Sequence, residues 1–230
     1  MEVLDCIKTR RCIRKYQKKP VPWDVVSNIL EAGRFAPSAG NLQNWKFIVV
    51  LDEEKRKAIA EAALNQFWIA TAPVIIVIVA EPEKTKRYYG DRGEKLYIIQ
   101  DCAAATQNML LESHNLGLGA CWVGAFDEDM VRKTLGMPQE ARPQAIITLG
   151  YPDEEPAEQA KHPLENVTYF NGWRGKIKDV AAYFLYYSPH IKKGVLTGKK
   201  VIEETSKKVA KKIKEKLEQR KKKKQSANSQ

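Results

Sequence analysis

Apolar positions along the chain follow two different periods, and the alternation between them predicts the elements. Val3, Leu4 and Ile7 keep a helical step before the basic stretch Lys8-Thr9-Arg10-Arg11. Pro22 suits the first turn of a second helix, where its missing N–H is harmless, and Val25, Val26, Ile29 and Leu30 give that helix one apolar face. Gly33 and Pro37 are expected to end it, and residues 37–41 to form a loop. Residues 47–51 read as a buried strand, residues 55–69 as a helix broken by Pro73, and residues 74–80 as the most strand-like run. Residues 81–93 form a polar excursion containing Tyr88 and Tyr89. The longest helix is expected over 96–116, where Ala103, Ala104, Ala105, Thr106 and Ser113 permit close approach by another backbone, in a central position or at a dimer contact. Short strands are expected at 120–123, 145–150 and 167–170, with Asp127 as N-cap of a helix over 128–135. Helices separate most strands without repeating βαβ units, so the pattern predicts an α+β fold with one sheet covered by helices.

Beyond residue 174 the pattern changes. Val201, Ile202, Thr205, Val209, Ile213 and Leu217 leave a narrow apolar stripe among lysines, an amphipathic helix that gives way to a polar, disordered end over 221–230. The expected organisation is therefore a domain over 1–173 and a helical, lysine-rich extension over 174–230. The chain's formal charge of +11 belongs to that extension: residues 192–224 hold 15 Lys and Arg against 4 acidic residues, so the remainder is neutral. A basic pI thus says nothing about the partners of the first domain. Apolar residues make up 43% of the chain, enough for a packed core and against disorder throughout. The longest aliphatic run is too short for a bilayer, and the N-terminus lacks the apolar stretch of a secretory signal. Cys6, Cys12, Cys102 and Cys121 contain no CxxC pair, and with three histidines a Cys/His zinc site is not expected. The composition reads as cytoplasmic.

Nucleophile signatures such as GxSxG, HExxH, GxxxxGK[ST] and SxxK are missing. Gly117 and Gly119 begin a GxGxxG-like run, but the third glycine position is Trp122, so a dinucleotide fingerprint fails on spacing. What remains is a set of anion-binding and amide groups. Arg10, Arg11 and Arg14 place three guanidiniums within five residues, and a planar guanidinium donates two parallel bonds to a phosphate. Ser38, Asn41 and Gln43 lie in a Pro/Gly loop, where they can both donate to and accept from the edge of a heteroaromatic ring. Taken singly, the first group reads as a solvated helix end and the second as an ordinary turn. Trp23, Trp68 and Trp173 read as packing anchors, His114 as a partner of a helix C-terminus, and Cys121 as a small buried hydrophobe.

Together the blocks point further. Residues 9–16 (TRRCIRKY) and 36–47 (APSAGNLQNWKF), followed by QNMLL at 107–111, GLGACWVG at 117–124, LGMP at 135–138, LGYP at 149–152 and KHPL at 161–164, closely resemble the nitroreductase family of flavin enzymes. The resemblance covers about residues 1–173 and implies an intertwined homodimer built on an α+β sandwich, with a mostly antiparallel central sheet and FMN at the dimer interface. It assigns Arg10, Arg11, Arg14 and the late Lys161 to the FMN phosphate and pyrimidine edge. Cys12 takes the place of the usual Ser, a change that a backbone contact would survive. Pro37, Ser38, Ala39, Asn41 and the nearby Gln43 would lie along the isoalloxazine and ribityl chain, from the partner subunit. Trp122, Val123, Gly124 and Ala125 match the stretch lying against the ring, with the N–H of Gly124 or Ala125 facing flavin N5. Asn44 replaces the usual Pro before Trp45, which should loosen the turn and spare the site, and Asn65 and Gln66 occupy the region of a ring-contacting amide.

The resemblance implies an NAD(P)H oxidoreductase with no catalytic side chain and no metal, since the cofactor carries the redox step and the protein supplies binding and orientation. Hydride from NAD(P)H would reach flavin N5 and pass by ping-pong turnover to a small flat electron acceptor such as a nitroaromatic or a quinone. Tyr88, Tyr89 and Phe126 are the candidate walls of that substrate pocket. The alternative within the family is a more specialised flavin reaction: dehalogenation, ene reduction or flavin oxidation. The alternative outside it makes the basic tail the working part, binding nucleic acid or an anionic membrane. A packing or solubility role for the tail is preferred, because aromatic residues that would stack on bases are missing from 194–230.

Overall fold

The computed structural model describes residues 1–175 together with Ser206 and Lys207. The amphipathic helix and polar end expected beyond residue 174 lie outside the described residues, apart from those last two. The chain divides into two compact units, Met1–Gln159 and Ala160–Gln230.

The first unit is built on β2 (Val74–Ala80), the segment with the strongest strand pattern. It lies between β1 (Trp45–Val50) and β4 (Arg142–Gly150), and β3 (Gly119–Val123) completes a sheet of order β1-β2-β4-β3. All three pairings are antiparallel. The unbroken apolar run of β2 follows from its place: every residue is buried, because helices cover both faces. Val74, Ile76 and Ile78 face one core with α2 (Trp23–Arg34) and α5 (Ile98–Asn115). Ile75, Val77 and Val79 face the other, with α3 (Glu53–Ala62) and α6 (Glu128–Leu135). Each buried isoleucine contributes about 2 kcal/mol of apolar burial. The α+β expectation and the antiparallel sheet therefore hold. The small residues of α5 serve a central helix: Ala105 and Met109 are fully buried, and a Cβ on Gly33 of α2 would fall 2.2 Å from Met109 Cε.

Several local expectations are corrected. Gly33 does not end α2, which runs on to Arg34; its missing side chain serves the approach to α5. Residues 55–69 are not one helix: α3 stops at Ala62, Leu64 and Asn65 take left-handed backbone, and a 3-10 turn follows at Phe67–Thr71. The polar excursion is helical, as α4 (Pro82–Arg92) bent at Gly90 and joined to α5 through a π turn at Gly93–Tyr97. Charge ladders such as Arg87–Glu83 and Lys95–Asp91, four residues apart, lace this stretch. In the second unit, the strand expected at 167–170 is not formed; the four-residue helix α7 (Leu164–Val167) stands at its start. Tyr169 there meets Trp173 edge to face, with ring centroids 5.2 Å apart. Trp173 and Trp23 are exposed, so neither is the packing anchor their size suggests; Trp68 does pack against the second core.

Candidate functional site

The arginine segment follows α1 (Val3–Thr9), whose last turn is closed by Thr9 Oγ1 donating to Asp5 O at 2.7 Å and by Arg10 N–H donating to Cys6 O. The chain then runs extended along the sheet edge. Cys12 bridges Ala120 of β3, Ile13 N–H donates to Ala120 O at 3.1 Å, and Tyr16 bridges Pro152. Burial of Ile13 and Tyr16 fixes this seat. The Tyr16 hydroxyl lies 2.7 Å from Thr148 Oγ1 and donates to Ile13 O, and burial raises its pKa. The three arginines leave the segment in different directions. Arg10 Nη1 approaches Cys12 Sγ at 3.9 Å. Arg11 donates to Lys8 O at 2.6 Å and stands 3.6 Å from the Glu158 carboxylate. Arg14 is exposed, lies 5.7 Å above the Trp68 ring, and makes no ion pair among the described residues. Glu154 Oε1 accepts the backbone N–H of both Arg14 and Lys15, a carboxylate already seated on this segment.

Cys12 is half-buried and its thiol is held below the ordinary value, first by hydrogen bonding with the Cys121 thiol and then by Arg10 and Arg14, against desolvation. Cys121 itself is buried and pushed up. His114, in the last turn of α5, sits 2.8 Å from Thr9 Oγ1; desolvation and the charges of Arg10 and Arg11 lower its pKa. It meets a helix C-terminus as expected, but the charges around it favour the neutral ring.

The amide loop lies elsewhere on the unit. Its 3-10 turn, Ala39–Asn41, places Gly40, Asn41 and then Gln43 at positive φ, a conformation that glycine and asparagine tolerate best. Ser38 Oγ accepts Gln43 N–H at 3.0 Å, and Gln43 Nε2 donates to Asn41 O and Oδ1. Pro37 is exposed and Ala39 half-buried. From α4, Lys84 Nζ donates to Leu42 O at 2.6 Å, and the Tyr89 hydroxyl fills the space where a Gly40 side chain would be, 2.4 Å from an added Cβ. Tyr89 also stacks edge-on against Tyr97, while Tyr88 is exposed.

Asn44 corrects the expectation of a loosened turn. It is fully buried and donates to Asp101 Oδ2 at 2.7 Å and to Thr85 Oγ1 at 2.9 Å, while Asp101 Oδ1 accepts Ala39 N–H at 3.0 Å. Asp101 and Thr85 are the residues that sequence reasoning missed around this loop. One signal was available: Asp101 is a carboxylate in helical register with the apolar Ile98, Cys102 and Ala105.

Trp122 and Val123 end β3, with Val123 buried and Trp122 partly exposed. Gly124 and Ala125 are exposed, and a Cβ on Gly124 would meet only Trp122 Nε1, at 3.8 Å, so the backbone here faces open space. Asp127 N–H donates to Ala62 O, and Phe126 packs partly buried on the second core. Tyr89 is thus brought to the loop and Phe126 to the other core. Lys161 is exposed in the second unit. Asn65 is left-handed, and Gln66 Nε2 donates to Ala63 O.

Helix α5 carries an attachment at each end. The amide loop is tied to Asp101 in its first turn, and Thr9, the last residue of α1 before the arginine segment, meets His114 in its last, thirteen residues on. At 1.5 Å per residue these attachments lie about 20 Å apart within one chain.

The sequence model of the Nitroreductase family matches residues 7–72 and 62–151. The chain is 40% identical over 162 residues to a protein of Methanothermobacter thermautotrophicus provisionally named NADH dehydrogenase/NAD(P)H nitroreductase, covering 68% of this chain and 80% of that one. It is 36% identical over 194 residues to an NADH dehydrogenase of Thermus thermophilus, covering 72% and 92%. Among solved structures, an FMN-dependent nitroreductase from Clostridium difficile superposes with a TM-score of 0.65 at 30% identity, covering 74% of this chain and 99% of that one.

Proposed function

The chain belongs to the nitroreductase family, and from that membership we propose that it is an FMN-dependent NAD(P)H oxidoreductase that reduces nitroaromatic, quinone or similar flat, electron-poor acceptors by ping-pong turnover. The residues present fit the cofactor. The arginine segment offers guanidiniums for a phosphate, the amide loop offers donors and acceptors for a ring edge, and the open backbone at Gly124 leaves room for a flat ring. When bound, FMN supplies a two-electron redox centre that takes hydride from the nicotinamide and gives reducing equivalents to the acceptor.

The chain's own groups then bind and orient. Arg10 and Arg14 would hold the phosphate, a role that the resemblance also gives to Lys161; Arg11, bonded to Lys8 O and beside Glu158, would contribute mainly by its charge. Ser38, Asn41 and Gln43 would meet the ring edge, and the N–H of Gly124 or Ala125 would face N5. Tyr88 and Tyr89, on α4 beside the loop, would border the acceptor.

The observation that carries this reading is the family match. The attachments of the amide loop and of Thr9 lie about 20 Å apart along α5, and we read the protein as a homodimer in which each site takes its arginine segment from one copy and its amide loop from the other. The test is an absorbance spectrum of the purified protein, then anaerobic titration with NADH or NADPH and re-oxidation by a panel of acceptors. A yellow protein bleached by a nicotinamide and restored by nitroaromatics or quinones is expected, with parallel double-reciprocal plots. A colourless protein that takes up no added FMN would overturn the reading.

A further inference from the structure

Asp101 is an unusual occupant of its position. It is 6% exposed, on a helix face otherwise given to Ile98, Cys102 and Ala105. Desolvation pushes its pKa up, opposed by hydrogen bonds from Ala39 and Asn44. Both oxygens face donors: the backbone N–H of Ala39 at 3.0 Å and the Asn44 amide at 2.7 Å. A carboxylate accepts on both oxygens, whereas a neutral acid would turn a proton toward a donor. The bonds as placed suit the charged form, which burial disfavours. The Asn44 amide reaches on to Thr85 of α4, also fully buried, while Asn44 Oδ1 has no partner among the described residues.

The two bonds to Asp101 bracket residues 40–43, the stretch that contains the left-handed Gly40, Asn41 and Gln43. We propose that Asp101 is a positioning residue for the cofactor loop: through Ala39 and Asn44 its carboxylate holds residues 38–43 in the shape that receives the flavin, and through Asn44 and Thr85 it ties that loop to α4, which carries Tyr88 and Tyr89. The proposal rests on the reading that this loop receives FMN. An Asp whose folded pKa is raised stabilises the fold fully only below its unfolded pKa, and loses that contribution as pH rises through the folded value, so removal of the charge is not expected to lower the melting temperature.

Asp101→Asn separates the alternatives, because it keeps the shape and removes the charge and one acceptor. Three quantities are read on purified protein: the FMN dissociation constant by fluorescence quenching, the visible circular dichroism of bound flavin, and the melting temperature of the apoprotein. The expected result is FMN binding weaker by roughly ten-fold or more, an altered flavin dichroism, and a melting temperature that is unchanged or raised. Binding and dichroism equal to wild type would overturn the proposal, as would a loss of affinity accompanied by a marked fall in melting temperature. If this variant does not fold, Thr85→Val frees Asn44 while leaving the carboxylate in place; weaker binding at an unchanged melting temperature is expected, and unchanged binding overturns. Failure of the wild type to bind FMN would sink the functional reading instead.

Discussion

Arg14 has an exposed guanidinium with an aromatic ring beneath it and no carboxylate partner among the described residues. Its charge is therefore available to a phosphate without first breaking an ion pair. Arg14→Ala is expected to weaken FMN binding by about ten- to a hundred-fold, the worth of one charge-assisted hydrogen bond, and Arg14→Lys to recover only part, since an ammonium lacks the planar fork. Titration of apoprotein with FMN measures both. Cys12 carries a second prediction. Its thiolate is favoured by the Cys121 thiol, Arg10 and Arg14, so that contribution to stability is present at and above the ordinary thiol range and is lost as pH falls through the depressed value. Alkylation of Cys12 in the apoprotein should persist below the pH at which a free cysteine stops reacting, while Cys102, pushed up to about 12 by burial, stays unmodified. Mass spectrometry across a pH series would show this, and a Cys12 profile like that of free cysteine would refute it. The arginines and loop amides stood out in the sequence as candidates because their residue types announce their chemistry. Asn44 was misread because a polar side chain before a strand looks like a turn until Asp101, fifty-seven residues away, is seen to bind it.

Elements behave similarly. Those whose pattern depends on near neighbours were read closely: β2 falls at Val74–Ala80 and α6 at Glu128–Leu135, with the Asp127 side chain accepting Met130 N–H. Elements that depend on distant partners were misread. The run at 167–170 has strand-forming side chains but, among the described residues, no neighbouring strand to supply a ladder, and α4 looked irregular because its charges conceal a helix. The seat of the arginine segment on β3 gives an element-scale test. A Cβ on Gly119 would stand 2.7 Å from Ile13 Cβ, a β-branched carbon that cannot swing aside. Gly119→Ala should therefore cost about 1–3 kcal/mol by overpacking and lift the segment from the sheet edge. A lowered melting temperature accompanied by weaker FMN binding is the expected outcome. Normal values for both would mean that the contact does not hold the segment.

At the scale of the whole molecule, the question is whether two copies share each site. If each site joins the arginine segment of one copy to the amide loop of another, two variants defective in different halves should rescue each other. Arg14→Ala and Asn41→Ala, each impaired alone, are expected to regain up to about a quarter of wild-type activity when mixed as unfolded chains and refolded together, because half of the dimers are mixed and each mixed dimer has one intact site. Activity of the mixture no higher than the mean of the two variants would indicate that one chain supplies both halves. Val3, Leu4 and Ile7 of α1 are exposed, an apolar surface of the kind that a second copy would cover.

The sequence by itself determined the α+β class, the central strand, the capped helix α6, the family, and the segments proposed to carry the chemistry. Each of these is written in residue type and short-range period, which the chain fixes before it folds. Tertiary structure decided the rest: that β2 is buried on both faces, that α4 closes over the amide loop, that Asn44 tightens a turn, and that the loop and the end of α1 attach to opposite ends of α5. These depend on which distant residues meet, and a hydrogen bond between Asn44 and Asp101 exists only after the sheet and α5 have packed.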